Sequence, residues 1–316
     1  MQKVLLFNIQ ICGNFTNIKK LSEIIVELDR QKIGVVGGNK GLGSWVVSYF
    51  RSKGIDARFS CRGENSEFKS NLELAHWADI VVLAVPISAM SNVMEEVFPA
   101  LDDKYLIDVC SVKKFVVEKY EQLRSVYTEV LPKYISMHPM FSHRIKSFDG
   151  NVVLFNYNDG AEDLETQLKE VFLADKGVVK DVEYIKHDKL MGLVQGLNHF
   201  NVFVSAKTMA RFNEDFEDIK SVASPPYRIF IVFYTRYVMQ NPMLYADIQM
   251  RNEYVYEVVR IFRDEMNKLF DIIQTRDRDQ FMNYITDMQE FFSQNSGDIE
   301  VSSHLMQKLS QKLEDI

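Results

Sequence analysis

Short apolar runs separated by turns fill the first half of the chain. The run at 33–36, IDARFS at 55–60, DIVVLAVP at 79–86, YLIDV at 105–109 and YISM at 134–137 each have strand length. The unbroken apolar character of DIVVLAVP suits a strand buried on both faces. Between these runs the spacing predicts helices over 42–52 and 72–77. Short strands alternating with helices predict an α/β fold with a doubly wound, mostly parallel sheet. VVLFN at 152–156, a helix over 162–172 and the run GVVKDVEYI at 177–185 extend it.

Beyond Lys186 the pattern changes. In YVYEVVRIFRDEMNKLF, residues 254–270, apolar positions recur at helical intervals. Dense Phe, Tyr and Met stripes of this kind are core or interface packing. Their surplus predicts an all-helical C-terminal domain that forms a homodimer. The expected division is an N-terminal extension over 1–31, with a short helix over Ile18–Asp29, then a sheet domain over 32–185 and a helical domain over 186–316.

Composition narrows the function. At 316 residues the chain exceeds one ordinary core, and 47% apolar content supports a folded protein. A formal charge of −7 argues against a general nucleic-acid binder and leaves room for a local basic pocket. Cys12, Cys61 and Cys110 lie far apart with no CxxC spacing, which predicts reduced thiols and no zinc or other metal site. The N-terminal VLLFNIQICG is interrupted by Asn8 and Gln10, and no apolar run approaches a span of about 18 residues. A cytoplasmic protein without a membrane partner is expected.

The stretch GVVGGNKGLG, residues 34–43, follows an apolar run and opens onto a helix. It reads as the turn of a Rossmann-type dinucleotide site, where glycines allow the tight turn, close approach to pyrophosphate and helix packing. Gly38 and Gly43 keep the outer spacing, while Lys40 stands at the middle position and either clashes with the phosphates or adds charge to them. Asn39, Gly41 and Leu42 complete the turn, and Val85 and Pro86, at the end of DIVVLAVP, join the cofactor-binding set. The second strand ends FSCRGEN, without an acid at the place that bonds the ribose hydroxyls of NAD. Ser60 and Arg62 there favour the 2′-phosphate of NADP, while Glu64 keeps NAD open.

Four further segments carry a specific resemblance: DVCSVKK at 108–114, MHPMF at 137–141, LVQGLNHF at 193–200, and SPPYRIF with NPMLYADIQMRN at 224–252. Together they resemble prephenate dehydrogenase, and the last is similar to the helical part of enzymes that fuse this activity to chorismate mutase. The resemblance implies an oxidative decarboxylation in tyrosine biosynthesis: prephenate loses a hydride to NAD or NADP, and CO2, giving 4-hydroxyphenylpyruvate. It implies that His138 is the group that accepts the ring-hydroxyl proton, a role that suits imidazole near neutral pH. Ser111 orients it. His199 lines the substrate pocket, Arg228 grips a carboxylate with its planar fork, and Lys113 supplies a supporting charge.

Without the family, His138 reads as a structural histidine, Ser111 as a helix cap and Arg228 as a helix-end charge. His76, His143, His187 and His304 fall outside the motifs and read as surface or structural residues. Two departures bear on function: Lys40, and Ser142 with His143 where the family usually continues with Gly and Pro. They leave three readings: a prephenate dehydrogenase, a dehydrogenase of arogenate or 4-amino-4-deoxyprephenate, and a catalytically silent nucleotide-binding protein. The first 30 residues are too short for a chorismate mutase domain, so that activity is not expected.

Overall fold

The computed structural model describes Leu28 and residues 30–130, 132–293 and 297–313. Cys12 and the helix expected over Ile18–Asp29 lie outside the described residues, apart from Leu28, which is helical and buried. Two compact units, Met1–Asp188 and Lys189–Ile316, divide the chain.

In the first unit β1 (Ile33–Val36), β2 (Ala57–Ser60), β3 (Ile80–Leu83), β4 (Tyr105–Asp108), β5 (Lys133–Pro139), β6 (Val152–Asp159) and β7 (Val178–Asp181) form one sheet in the order β2-β1-β3-β4-β5-β6-β7. The first five run parallel, β6 is antiparallel to β5, and β7 is parallel to β6. From β1 the chain goes to β2 on one side and to β3 on the other, so the strand order reverses at β1. In open α/β sheets the crevice at such a switch point, beyond the carboxyl ends of the strands, is where ligands bind. The central strands IGVV and IVVL are buried throughout, as the unbroken apolar runs predict. β7, VVKD, is an exposed edge carrying Lys180 and Asp181.

The helix α1 (Gly41–Ser52) buries Val46, Val47 and Phe50 on one face, and left-handed Gly54 turns the chain back after it. Ser70 Oγ accepts the N–H of Glu73 and caps α2 (Asn71–Trp77). α3 (Met90–Val97), α4 (Lys114–Val126), α5 (Glu162–Ala174) and α6 (Tyr184–Met191) complete the unit's helices. The expected strand YISM extends to Pro139, which brings His138 into β5.

The second unit begins at Lys189, within α6, and runs into a π-helical turn over Gly192–Leu197. It continues through α7 (Asn198–Arg211), α8 (Phe216–Val222), α9 (Pro225–Val238), α10 (Pro242–Arg251), α11 (Glu253–Thr275), α12 (Arg278–Phe292) and α13 (Asp298–Leu313). Asn241, Asn252 and Asp277 accept backbone N–H groups at the starts of α10, α11 and α12. No described helix is long and apolar enough to cross a membrane.

The π turn lies against α11. A Cβ on Gly196 would sit 2.6 Å from Val255 Cγ2, and the Gly196 carbonyl accepts from Gln249 Nε2 at 2.8 Å. Gly196→Ala gains helix propensity but overpacks a β-branched neighbour. We expect a net loss of about 1–3 kcal/mol in urea unfolding.

Candidate active site

His138 sits on β5 opposite Leu154 of β6 and is 2% exposed. Just before it the β5–β6 register shifts between Ser136 and Met137, leaving Asn156 as the extra residue on β6. Bulges of this kind re-aim nearby side chains. The Nδ1 of His138 lies 2.8 Å from Nε2 of His187, and the Nδ1 of His187 lies 2.8 Å from Oδ1 of Asp188. All three residues are buried.

This chain fixes both tautomers. The Asp188 carboxylate only accepts, so His187 donates to it from Nδ1 and is left with an acceptor at Nε2. That acceptor takes the Nδ1–H of His138, which leaves Nε2 as the acceptor of the His138 ring. Burial, then His187 and Lys113, hold the His138 imidazole well below its ordinary pKa. His187 is also lowered, chiefly by burial, with Asp188 opposing the shift. Both rings are neutral near pH 7, the state a proton acceptor requires.

Two carboxylates hold the loop between β4 and α4. Asp108, at the end of β4, accepts from Cys110 N at 2.9 Å, Tyr134 Oη at 2.7 Å and Lys113 Nζ at 2.8 Å. Asp188 accepts from the backbone N–H groups of Lys113 and Lys114. Ser111, partly exposed, lies between these anchors. Lys113 itself has no exposed surface, and its ammonium also donates to the Met137 carbonyl at 2.6 Å, beside His138. The expectation that Lys113 offers charge to a substrate is therefore corrected, because its charge is consumed in the interior.

The glycine-rich turn is also clearer in three dimensions. Gly41, not residue 40, has the left-handed backbone, with φ 59°, and Gly37 has φ 86°. Lys40 precedes α1 in extended conformation, φ −156° and ψ 169°, which any residue adopts, and its exposed side chain makes no capping bond. Lys40 still stands at the middle position between Gly38 and Gly43, and its backbone there needs no glycine; the left-handed residue of the turn is its neighbour Gly41. A Cβ on Gly43 would lie 2.3 Å from the Gly37 carbonyl, so the helix start packs directly on the turn. This cradle fits a pyrophosphate: the first turn of a helix leaves its N–H groups without helical partners, and no acid stands in it. Asn39 is exposed, Leu42 half-buried, and Gly38 buried against Phe59. Val85 and Pro86 follow β3, where Ala84 N bonds the Val36 carbonyl and aligns the two strand ends.

Ser60 is 1% exposed and donates its hydroxyl to Asn71 Oδ1 at 2.8 Å. This corrects its expected role as a phosphate ligand. Arg62 lies exposed in the turn beyond. Among the described residues no group of three or more His, Cys, Asp or Glu is placed to hold a metal.

In the helical unit His199 is buried at the start of α7, with its ring 5.3 Å from Tyr237 and 4.9 Å from Tyr245. Its Nδ1 has no hydrogen-bond partner among the described residues, and burial pushes its pKa down to about 4. Arg228 is half-buried on α9 and has no ion-pair partner among the described residues. It lies about 13 Å along that helix from Tyr237, so His199 and Arg228 are not neighbours within this unit.

A sequence model described as "Prephenate dehydrogenase, nucleotide-binding domain" matches residues 44–181, and one described as "Prephenate dehydrogenase, dimerization domain" matches 184–287. The chain belongs to the prephenate dehydrogenase family. A probable arogenate/prephenate dehydrogenase of Methanocaldococcus jannaschii is 31% identical over 274 residues, which cover 82% of this chain and 60% of that protein. The T-protein of Haemophilus influenzae is 24% identical over 90% of this chain and 73% of its own length. The chain thus spans about three fifths of the first relative.

Among solved structures, prephenate dehydrogenase from A. aeolicus in complex with hydroxyphenyl propionate and NAD+ superposes with a TM-score of 0.63 at 19% identity, covering 84% of this chain and 99% of that one. Synechocystis arogenate dehydrogenase gives 0.58 at 20% identity, over 86% and 99%. These likenesses establish the prephenate dehydrogenase fold: a sheet domain for nucleotide binding followed by helices.

Within that fold, His187 and Asp188 are the residues that motif reading missed. A signal for them exists in the spacing. They stand three and four residues from Tyr184 and Met191, so the pair is polar on the stripe that Met191 buries.

Two measurements test the electrostatics. Lys113→Met leaves Asp108 buried without its cation, and we expect a loss of about 3–5 kcal/mol in urea unfolding. His138, His187 and His199 all have folded pKa values below the unfolded value near 6.5. The unfolded chain then binds more protons in acid, so stability is full above pH 6.5 and falls below it, by about 1.4 kcal/mol per pH unit for each imidazole. A Tm that stays flat from pH 7 to pH 5 would exclude this arrangement.

Proposed function

We propose that the chain oxidatively decarboxylates prephenate, or its close analogue arogenate, with hydride transfer to NAD or NADP. The observation that carries this reading is the Asp188–His187–His138 chain, which presents a neutral imidazole in one tautomer at the carboxyl end of a nucleotide-binding sheet. The dinucleotide, when bound, supplies the hydride acceptor. Gly41, Gly43 and the start of α1 hold its phosphates, with Asn39, Leu42, Val85 and Pro86 around them.

His138 takes the proton of the ring hydroxyl as the hydride leaves the same carbon. The charge that develops on its ring is balanced through His187 by Asp188, in the way a buried carboxylate serves a catalytic histidine. Ser111, held at a fixed height by Asp108 and Asp188, aligns the hydroxyl with the imidazole. Loss of CO2 returns its bonding electrons to the ring and makes it aromatic. Arg228, without an ion-pair partner among the described residues, receives a substrate carboxylate, and His199 lines the pocket. The relatives support both substrates, since one carries arogenate and prephenate in its name and one structural neighbour is an arogenate dehydrogenase.

A homodimer through the helical unit belongs to the same reading, as does a cytoplasmic setting. The unit leaves Phe230, Phe233, Met239 and Phe270 between 45% and 79% exposed, more apolar surface than a monomer usually shows.

The test is absorbance at 340 nm (the nicotinamide wavelength) with prephenate or arogenate and either cofactor. His138→Asn is expected to cut kcat by about 10²–10⁴, and His187→Gln to lower kcat with little change in KM. Arg228→Ala is expected to raise KM by about 10–100-fold. Normal dinucleotide binding with no turnover of either substrate would instead support the silent-protein reading.

A further inference from the structure

The end of β2 decides which dinucleotide fits, because the adenosine ribose of a Rossmann site lies there. β1 and β2 end side by side, with Val36 opposite Ser60, and Gly37 N donates to the Ser60 carbonyl at 2.8 Å. The glycine turn and the segment after β2 therefore share one edge of the sheet.

The acids near this edge, Glu64 apart, are already engaged. Asp56 pairs with Arg58. Glu67 is bound by Arg51 through both carboxylate oxygens and by the Phe59 backbone N–H at 2.8 Å, which folds it back on the open edge of β2. Glu96 accepts from Asn71 Nδ2. The position at the strand end, where an acid would take the ribose hydroxyls of NAD, is Ser60, buried and locked to Asn71.

Two cations at this edge stand apart from such pairs. Arg62 stands exposed in the turn just beyond Ser60, next to Gly63 with φ 116°. Lys40 stands exposed immediately before α1. Neither has an ion-pair partner among the described residues. Glu64, exposed in the same turn, is the one acid of residues 56–67 left without a recorded partner there. We propose that this chain selects the 2′-phosphorylated dinucleotide, with Arg62 as the phosphate-binding fork and Lys40 as a second cation beside it.

The geometry of guanidinium suits a phosphate monoester, which accepts two parallel N–H bonds from it. Lys40 adds a point charge across the turn without geometric demand. A ribose bearing two hydroxyls offers neither cation a charge to pair with.

The proposal rests on the dinucleotide-binding reading and is tested without catalysis. Calorimetry on the full chain compares adenosine 2′,5′-bisphosphate with adenosine 5′-diphosphate. The wild type is expected to bind the bisphosphate more tightly, by about 10–100-fold. Arg62→Ala is expected to remove most of that difference and Lys40→Ala part of it, while Glu64→Gln leaves it intact. Equal or tighter binding of adenosine 5′-diphosphate by the wild type would overturn the selectivity and leave the dinucleotide site standing. So would a preference unchanged in the Arg62→Ala, Lys40→Ala double variant. Failure to bind either nucleotide would overturn both readings.

Discussion

A lysine–carboxylate pair with no access to water, Lys113 with Asp108, sets the frame of the candidate site. Two ions withdrawn from solvent are costly unless their remaining donors and acceptors are met. Here they are met by the surrounding chain: Cys110 N and Tyr134 Oη on the acid, the Met137 carbonyl on the ammonium. One pair thus joins the end of β4, the loop carrying Ser111, and the residue before His138. Asp188 repeats the device on the other side of the loop, accepting two backbone N–H groups and the His187 ring. The site's precision comes from these interior bonds.

Much of the fold was legible from apolar spacing. Runs such as IVVL, short and rich in β-branched residues, suit a strand buried on both faces. The motifs nominated His138, Ser111, His199 and Arg228 through the resemblance they carry. What spacing does not encode is which way a charged residue turns. Lys113 looks like a surface lysine in SVKK, yet its partner Asp108 lies on the preceding strand and draws it inward. Ser60 looks free in FSCRG, yet Asn71 takes its hydroxyl. His187 meets His138 only because α6 returns to β5, a contact that no local pattern announces.

The glycine turn is a different case. Spacing puts Lys40 at the middle position between Gly38 and Gly43, and does not say whether the backbone there needs a glycine. Backbone angle decides the matter: the left-handed residue is Gly41, and Lys40 is free to be a lysine. What first looked like damage to a phosphate site is consistent with its chemistry.

The seam between the two matched family segments falls between residues 181 and 184. His138 lies on one side of it, His187 and Asp188 on the other. The unit that folds around the sheet reaches Asp188, seven residues past the nucleotide-binding segment. The hydrogen-bonded chain therefore crosses the seam. A helical segment taken from a relative at that point would bring its own residues at positions 187 and 188, and with them the tautomer of His138. The two segments are matched through the position of one proton.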